Sequence, residues 1–222
     1  MNSIEKISIY GSSSIGVFIF TSETFSLIPP DIDFRKIKII ENTLNTKVFS
    51  TTIMNSKLLG IFVIGNSKGI LVPKLVLERE ISSLKKYLDN INIGIIDSKV
   101  TALGNLILTN DHAAIVSPYL SDLSKKIQEI LDVEVIIKDI GGSPLVGAMA
   151  LVTNRGGLVH PMIPDDEIDF LKDFFKVNMN VGTINRGYPY IRVGMVANSK
   201  GALIGMDTTG PEIMRIMATL FH

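Results

Sequence analysis

Apolar and polar positions recur along this chain with a period of 44 residues. The tetrapeptide Asn66-Ser67-Lys68-Gly69 returns unchanged as Asn198-Ser199-Lys200-Gly201, and the two copies are 132 residues apart. Polar, turn-forming residues also occupy the steps between and before them, so that five equivalent turns fall at 22, 66, 110, 154 and 198. A fixed period of this length is the signature of repeated structural units, and the sequence predicts five of them.

Each turn lies between two short apolar runs, which predict a β-hairpin in every unit. The runs before the turns are Gly16–Phe20, Gly60–Ile64, Gly104–Leu108, Gly147–Val152 and Gly194–Ala197. The runs after the turns end at Pro29, Pro73, Pro118 and Pro161, and at Gly205 in the fifth unit.

A helical pattern follows each hairpin. Leu77, Ile81, Leu84 and Leu88 are spaced so that they share one face of a helix. The same spacing predicts helices around residues 34–44, 120–131, 168–175 and 213–220. Third strands are predicted after four of the five helices, at Lys47–Ile53, Ile91–Ile96, Val133–Lys138 and Val177–Gly182.

The fifth unit has no third strand after its helix, whereas the chain begins with an unassigned apolar strand, Ile4–Tyr10. We expect this strand to complete the fifth unit, because an open array would need polar caps at both ends. The predicted fold is therefore α/β, a closed five-fold pseudo-symmetric ring with its helices outside. With no linker or low-complexity segment, residues 1–222 are expected to form one domain.

Composition narrows the classes of function. The chain has 22 Lys and Arg residues and 22 Asp and Glu residues, so its formal net charge is zero. Proteins that bind nucleic acid through its phosphates usually carry a net positive charge. We therefore expect a protein surface as the main partner. The absence of cysteine excludes disulfides and a thiolate nucleophile. No signal peptide and no stretch of about 18 apolar residues are present, which favours a cytoplasmic protein without a membrane span.

Candidate catalytic chemistry is sparse. His112, His160 and His222 share no ligand spacing, and Asp165-Asp166-Glu167 is typical of a helix N-terminus. We expect no catalytic residue, no cofactor and no metal site. The polar segment Gly182–Gly187, which contains Arg186, is equally consistent with a structural turn and with a binding contact. The same alternatives hold for Asn105, which follows Gly104.

Several segments, in this order and at matching separations, resemble the translation initiation factor 6 family. They are Gly65–Pro73, Thr101–Asn105, Asn154–Pro161, Gly182–Gly187, Gly194–Asn198 and Gly205–Thr209. The resemblance implies the pentein fold and a non-catalytic factor that binds the large ribosomal subunit where the small subunit docks. It implies contact with a ribosomal protein near the sarcin–ricin loop, limited contact with rRNA, and a monomer. Without the C-terminal tail of eukaryotic members, the chain is expected to be archaeal-type.

The resemblance also implies contact residues. Asn105, Ile61 and Tyr190 fall at family contact positions, and Ile61 departs from the Arg common in eukaryotic members. The repeat extends this set, since the residue after the strand-opening glycine should mark one rim of the ring. These residues are Val17, Ile61, Asn105 and Ala148, with roughly Tyr190–Ile191 in the fifth unit and Arg186 near the rim. We expect a flat, mostly apolar and nearly uncharged face.

Two other functions are alternatives to this one. The pentein fold also houses guanidine-modifying enzymes, such as arginine deiminases and amidinotransferases, which use a nucleophilic cysteine that this chain lacks. The sequence also does not exclude the second alternative, a ring scaffold that binds another protein partner.

Overall fold

The computed structural model describes residues 3–221, and within them fifteen strands form five sheets of three strands each. The strands are β1 (Ser3–Ile7), β2 (Phe20–Thr21), β3 (Phe25–Ile28), β4 (Lys47–Ser50), β5 (Ile64–Gly65), β6 (Gly69–Pro73), β7 (Asn92–Ile96), β8 (Ile107–Thr109), β9 (Ala113–Val116), β10 (Glu134–Ile137), β11 (Ala150–Val152), β12 (Gly156–Val159), β13 (Asn178–Val181), β14 (Met195–Ala197) and β15 (Gly201–Gly205). The predicted α/β pentein ring of five repeated units is confirmed.

All five sheets have the same topology. The first two strands of a unit form an antiparallel hairpin, and the third strand pairs in parallel with the second. In the fifth unit β14 and β15 form the hairpin, and the third strand is β1 from the other end of the sequence. Ser3 lies opposite Gly201 and Ile7 opposite Gly205, in parallel register.

One long helix connects the second strand to the third in each of the first four units, and another follows the last hairpin. These helices are α1 (Phe34–Leu44), α3 (Glu78–Tyr87), α5 (Ser124–Leu131, after a 3₁₀ segment Pro118–Leu123), α7 (Asp165–Phe175) and α9 (Gly210–Leu220). Each has one fully buried apolar stripe, as its periodicity predicted; Ile40, Leu84 and Leu171 are examples.

The long helices also tie neighbouring units together. Ile127 of α5 shares a hydrophobic cluster with Leu71 of the preceding unit. The glycine after each of three turns makes this approach possible. A Cβ at Gly69 would lie 2.1 Å from the Ile130 carbonyl oxygen, one at Gly201 would lie 2.0 Å from that of Thr43, and one at Gly156 would lie 2.2 Å from that of Thr219. Helix ends of one unit therefore pack directly on the hairpins of another.

The apolar runs before the turns were predicted as strands. This prediction is wrong for the first halves of the first four runs, and in the fifth run, Gly194–Ala197, it is wrong only for Gly194. They begin instead as short helical turns: a 3₁₀ turn at Ile15–Val17, α2 (Leu59–Phe62), α4 (Leu103–Leu106), α6 (Val146–Met149) and α8 (Ile191–Gly194). Only two or three residues of β-strand follow each of them. An apolar run of this length does not distinguish a buried helical turn from a buried strand.

The helical turns contact one another in a closed ring around the axis. A Cβ at Gly60 would lie 1.9 Å from the carbonyl oxygen of Gly16, and a Cβ at Gly104 would lie 2.2 Å from that of Gly60. The backbones are therefore so close that a side chain at these positions would displace its neighbour. This close approach explains the recurring glycines, which the sequence assigned to strand openings.

Some predicted strands are too long. The first strand ends at Ile7 rather than Tyr10, and β4 ends at Ser50 rather than Ile53. Tight turns follow both strands, and they are closed by isolated bridges between Ile9 and Ser12 and between Ile53 and Ser56. Left-handed residues at the tips of these turns end the strand pairing.

Within residues 3–221, no helix is long and apolar enough to cross a membrane. His222 lies outside the described residues.

Candidate partner-binding face

The third residues of the five helical turns form one rim of the ring, which we call the helix rim. They are Val17, Ile61, Asn105, Ala148 and Val193, and all five are half-buried. The predicted fifth member, Tyr190–Ile191, is displaced: Ile191 is buried, and Tyr190 lies just before the start of α8. The error arises because the fifth unit carries its glycine, Gly194, two residues later than the equivalent glycines.

The residue just before each helical turn adds a second circle to this face. Its members are Ser14, Leu58, Ala102, Leu145 and Tyr190. Leu58, Leu145 and Tyr190 are large, apolar and 37–42% exposed. The helix rim and this circle together form a surface of mainly apolar side chains with no charged member.

Asn105 supplies an amide group on this surface. Its backbone N–H donates to the Ala102 carbonyl at 2.9 Å as part of the helical turn. Its side chain makes no hydrogen bond to any other residue in the range 3–221. The amide is half-buried and its hydrogen-bonding groups are available to a partner.

Arg186 lies beside the rim, in the turn between Ile184 and Tyr188 that precedes α8. Asn185 and Arg186 have φ angles of 50° and 65°, so they form the left-handed tip of that turn. The Arg186 side chain is 76% exposed and lies 3.9 Å from the Asp207 carboxylate. Its guanidinium is therefore placed in solvent next to the apolar surface.

Carboxylates from the long helices hold the tight turns that precede the helical turns, such as the turn between Ile184 and Tyr188. Glu212 of α9 accepts hydrogen bonds from the backbone N–H groups of Gly187 at 2.8 Å and Arg186 at 3.3 Å. Glu80 of α3 does the same for Met54 and Asn55 at 2.8 and 2.9 Å. This role was not predicted from the sequence, although Thr209 and Glu212 show the spacing of a capping box.

These contacts govern the acidity of Glu212. Burial by itself would raise the pKa of the carboxyl, but hydrogen bonds from Thr209, Gly187 and Thr183 outweigh it and lower the pKa to about 2. In the fourth unit Glu167, one of the three acids predicted at the helix start, has an equivalent role and accepts from the Gly141 N–H at 2.8 Å.

Aromatic rings cluster behind Tyr190. The ring centroid of Tyr190 lies 5.0 Å from that of His160 and 5.8 Å from that of Tyr188. Nδ1 of the buried His160 accepts a hydrogen bond from the Met162 N–H at 3.1 Å, and burial lowers the pKa of the imidazole. His160 is thus a neutral structural residue that supports Tyr190.

The hairpin turns form the opposite rim, which we call the turn rim. His112 is exposed there, in the turn of the third unit. The turn of the fourth unit begins at Thr153 rather than Asn154, because Thr153 Oγ1 accepts from the N–H groups of residues 155 and 156.

Among residues 3–221, no group of three or more His, Cys, Asp or Glu residues could hold a metal ion.

Comparison with known proteins identifies the family of this chain. The model of the eIF-6 family matches residues 4–219. The chain belongs to the eIF-6 family. Similar eIF-6 family proteins are named translation initiation factor 6: that of Pyrobaculum aerophilum is 45% identical, covering 99% of this chain and all of the relative. That of Methanocaldococcus jannaschii is 44% identical, covering 93% and 92%. Membership supports a role as a translation factor.

Solved structures show a more distant likeness to this eIF-6 family chain. A DDAH from Pseudomonas aeruginosa, a mutant complexed with citrulline, aligns over 78% of this chain and 70% of its own at 12% identity, with a TM-score of 0.49. An amidinotransferase from Microseira wollei aligns over 55% and 40% at 11% identity, with a TM-score of 0.40.

Proposed function

We propose that this translation factor binds the large ribosomal subunit at the face where the small subunit docks, and that it prevents subunit joining by steric exclusion. The observation that carries the proposal is the helix rim, whose five members are uncharged and half-buried, with Asn105 as the one amide among four apolar residues. An apolar centre with a polar edge is the composition of a protein docking surface. The partner at this surface is a ribosomal protein near the sarcin–ricin loop.

Contact with rRNA is limited in this proposal. Binding to a phosphate backbone requires several Lys or Arg side chains on one surface, and the helix rim has none. Arg186, beside the rim and solvent-exposed, is placed for a peripheral contact. The protein acts in the cytoplasm as a monomer.

Substitutions on the rim test the binding face. Replacing Asn105 by Ala leaves a partner group buried without its hydrogen bond, and should weaken binding to large subunits by about 5- to 150-fold, on the order of 1–3 kcal/mol. The melting temperature should change little, because the amide bonds to no other described residue. Ile61→Glu and Ala148→Glu should weaken binding further, since each places a charge in an apolar interface.

Co-sedimentation with purified large subunits measures these affinities. His112→Ala is the matched control, because His112 is exposed on the turn rim at the other end of the hairpins. Weaker binding by the control, with unchanged binding by Asn105→Ala and Ile61→Glu, would mean that the turn rim is the binding face. Subunits that still join while the factor is bound would disprove the steric mechanism.

The factor is further proposed to be non-catalytic. Guanidine-modifying chemistry needs a strong nucleophile such as a thiolate, and the chain has no cysteine. Purified protein should therefore turn over arginine, citrulline and agmatine no faster than a heat-inactivated sample. Turnover above that control would contradict this part of the proposal.

A further inference from the structure

The axis of the ring contains a cavity of about 60 Å³. Every unit contributes equivalent residues to its wall, including Thr21, Gly65, Thr109, Val152 and Ala197 from the inner strands of the hairpins. A volume of roughly 10–15 Å³ accommodates one water molecule, so this cavity is large enough for a small solute. We call it the axial cavity.

One unit departs from the symmetry of this cavity. The second residue of the helical turn is glycine in four units, Gly16, Gly60, Gly104 and Gly147, but it is Arg192 in the fifth. The Arg192 side chain lines the axial cavity and extends across the ring, because its Nη2 lies 3.5 Å from the Gly60 carbonyl oxygen in the second unit. A cationic group therefore occupies the axis at the helix-rim end.

The protein provides this cation with little compensation. Arginine has five N–H donors, and the long contact to Gly60 is the only hydrogen bond of the Arg192 side chain within residues 3–221. No Asp or Glu lines the axial cavity, and no carboxylate in the described chain lies within ion-pair distance of Arg192. Burial lowers the pKa of the guanidinium to about 10, so it remains charged at neutral pH.

The acidic groups that line the neighbouring cavity already have partners. Glu23 and Asp111 line a second cavity at the turn rim. Asp111 accepts from the Ser67 N–H at 2.8 Å and from Asn154 Nδ2 at 2.7 Å, and Glu23 accepts from the Ser199 N–H at 2.9 Å. Arg192 is half-buried, and within residues 3–221 no side-chain nitrogen is both buried and without a hydrogen-bond partner, so the remaining guanidinium N–H groups reach solvent or the axial cavity. An anion that enters the cavity meets a partly desolvated cation without a counter-charge, which favours its binding there.

We propose that Arg192 binds a small monovalent anion, of the halide, nitrate or short-carboxylate class, in the axial cavity. The walls of the axial cavity favour an anion with a single negative charge. The hydroxyl of Thr109 donates to the Asn110 and Ala113 carbonyls at 3.0 and 3.1 Å, and Thr21 contacts the carbonyls of its own turn in the same way. Arg192 is then the main donor, and one donor does not balance the desolvation of a divalent phosphate or sulfate.

Bromide is a suitable probe, because its anomalous scattering identifies the ion directly. Crystals of the protein grown in sodium bromide should show an anomalous peak within hydrogen-bond distance of the Arg192 guanidinium. Arg192→Gln, which keeps much of the side-chain length but removes the charge, should abolish the peak. A wild-type crystal without the peak, or an equal peak in the variant, would overturn the proposal.

A solution measurement tests the same site without a lattice. Bound chloride broadens the ³⁵Cl resonance, and nitrate should reverse the broadening in the wild-type protein by competition. Arg192→Gly, which restores the residue of the other four units, should reduce the competitive broadening at least tenfold. Arg215→Ala, at an exposed arginine of α9, is the control and should leave it unchanged. Competitive broadening that survives in Arg192→Gly would place the anion elsewhere and contradict the inference.

Discussion

At the scale of single residues, Glu212 links the helical layer to the proposed binding face. Its carboxylate closes the capping box of α9 by accepting the Thr209 N–H at 2.7 Å, and it also holds the Arg186–Gly187 turn beside the helix rim. One side chain thereby fixes the start of a helix and the conformation of a rim turn. The turn is organised before any partner arrives, which reduces the entropy lost on binding.

The lowered pKa of Glu212 predicts a pH dependence of stability. Its folded-state value of about 2 lies below the usual 4.5, so the carboxylate stabilises the folded state above about pH 4.5. That contribution, about 2–3 kcal/mol for a residue only 8% exposed, should be lost as the pH falls from 4.5 towards 2. Urea unfolding at a series of pH values measures it.

Glu212→Gln should remove most of this acid-dependent loss and lower the stability at pH 7 by about 2 kcal/mol. The control is Glu134→Gln on β10, whose side chain is exposed. A Glu212→Gln protein that keeps the wild-type pH profile would show that other carboxylates cause the acid sensitivity.

At the scale of elements, a buried asparagine connects the hairpin turn of one unit to the helix end of the next. Asn110 Oδ1 accepts from the N–H groups of His112 and Ala113 at 2.9 and 3.0 Å, while Nδ2 donates to the Thr153 and Phe175 carbonyls at 3.1 Å. Asn66 and Asn198 make the same pattern of contacts. The Phe175 carbonyl, at the end of α7, is an orphan acceptor that the amide satisfies.

Asn110→Ala should lower the free energy of unfolding by about 3 kcal/mol, because it leaves buried backbone donors and acceptors without partners. Thermal unfolding followed by circular dichroism measures the effect. Ser22→Ala is the matched control: Ser22 occupies the same place in the first unit, but its hydroxyl bonds only within its own turn. The control should lose less than about 1 kcal/mol. Equal losses in both variants would show that the contact between units adds nothing.

At the scale of the whole molecule, β1 completes the sheet of the fifth unit. Ile7 of β1 is 3% exposed and packs in one cluster with Ile40 of α1 and Leu203 of β15, so the two ends of the described chain share a core. We propose on this basis that residues 1–222 fold as one cooperative domain.

Deleting residues 3–7 should therefore destabilise all five units together. The deletion exposes the edge of β15 and uncovers apolar surface, so one unfolding transition should shift as a whole to lower temperature. Calorimetry distinguishes this from the loss of one unit, which would give two transitions. Glu5→Ala, an exposed position on the same strand, should leave the transition where it is. Two separate transitions in the deletion variant would contradict the single domain.

The sequence alone determined the repeat, the five long helices and the hairpins, because these depend on local periodicity and on turn chemistry. It did not distinguish the helical turns from strands, since both are short and fully apolar when buried. The ring contacts between Gly16 and Gly60 decide that conformation, and they join residues of different units. For the same reason only the tertiary structure assigned Val193 to the helix rim and placed Arg192 on the axis: a side chain's position in a closed ring depends on neighbours that are distant in sequence.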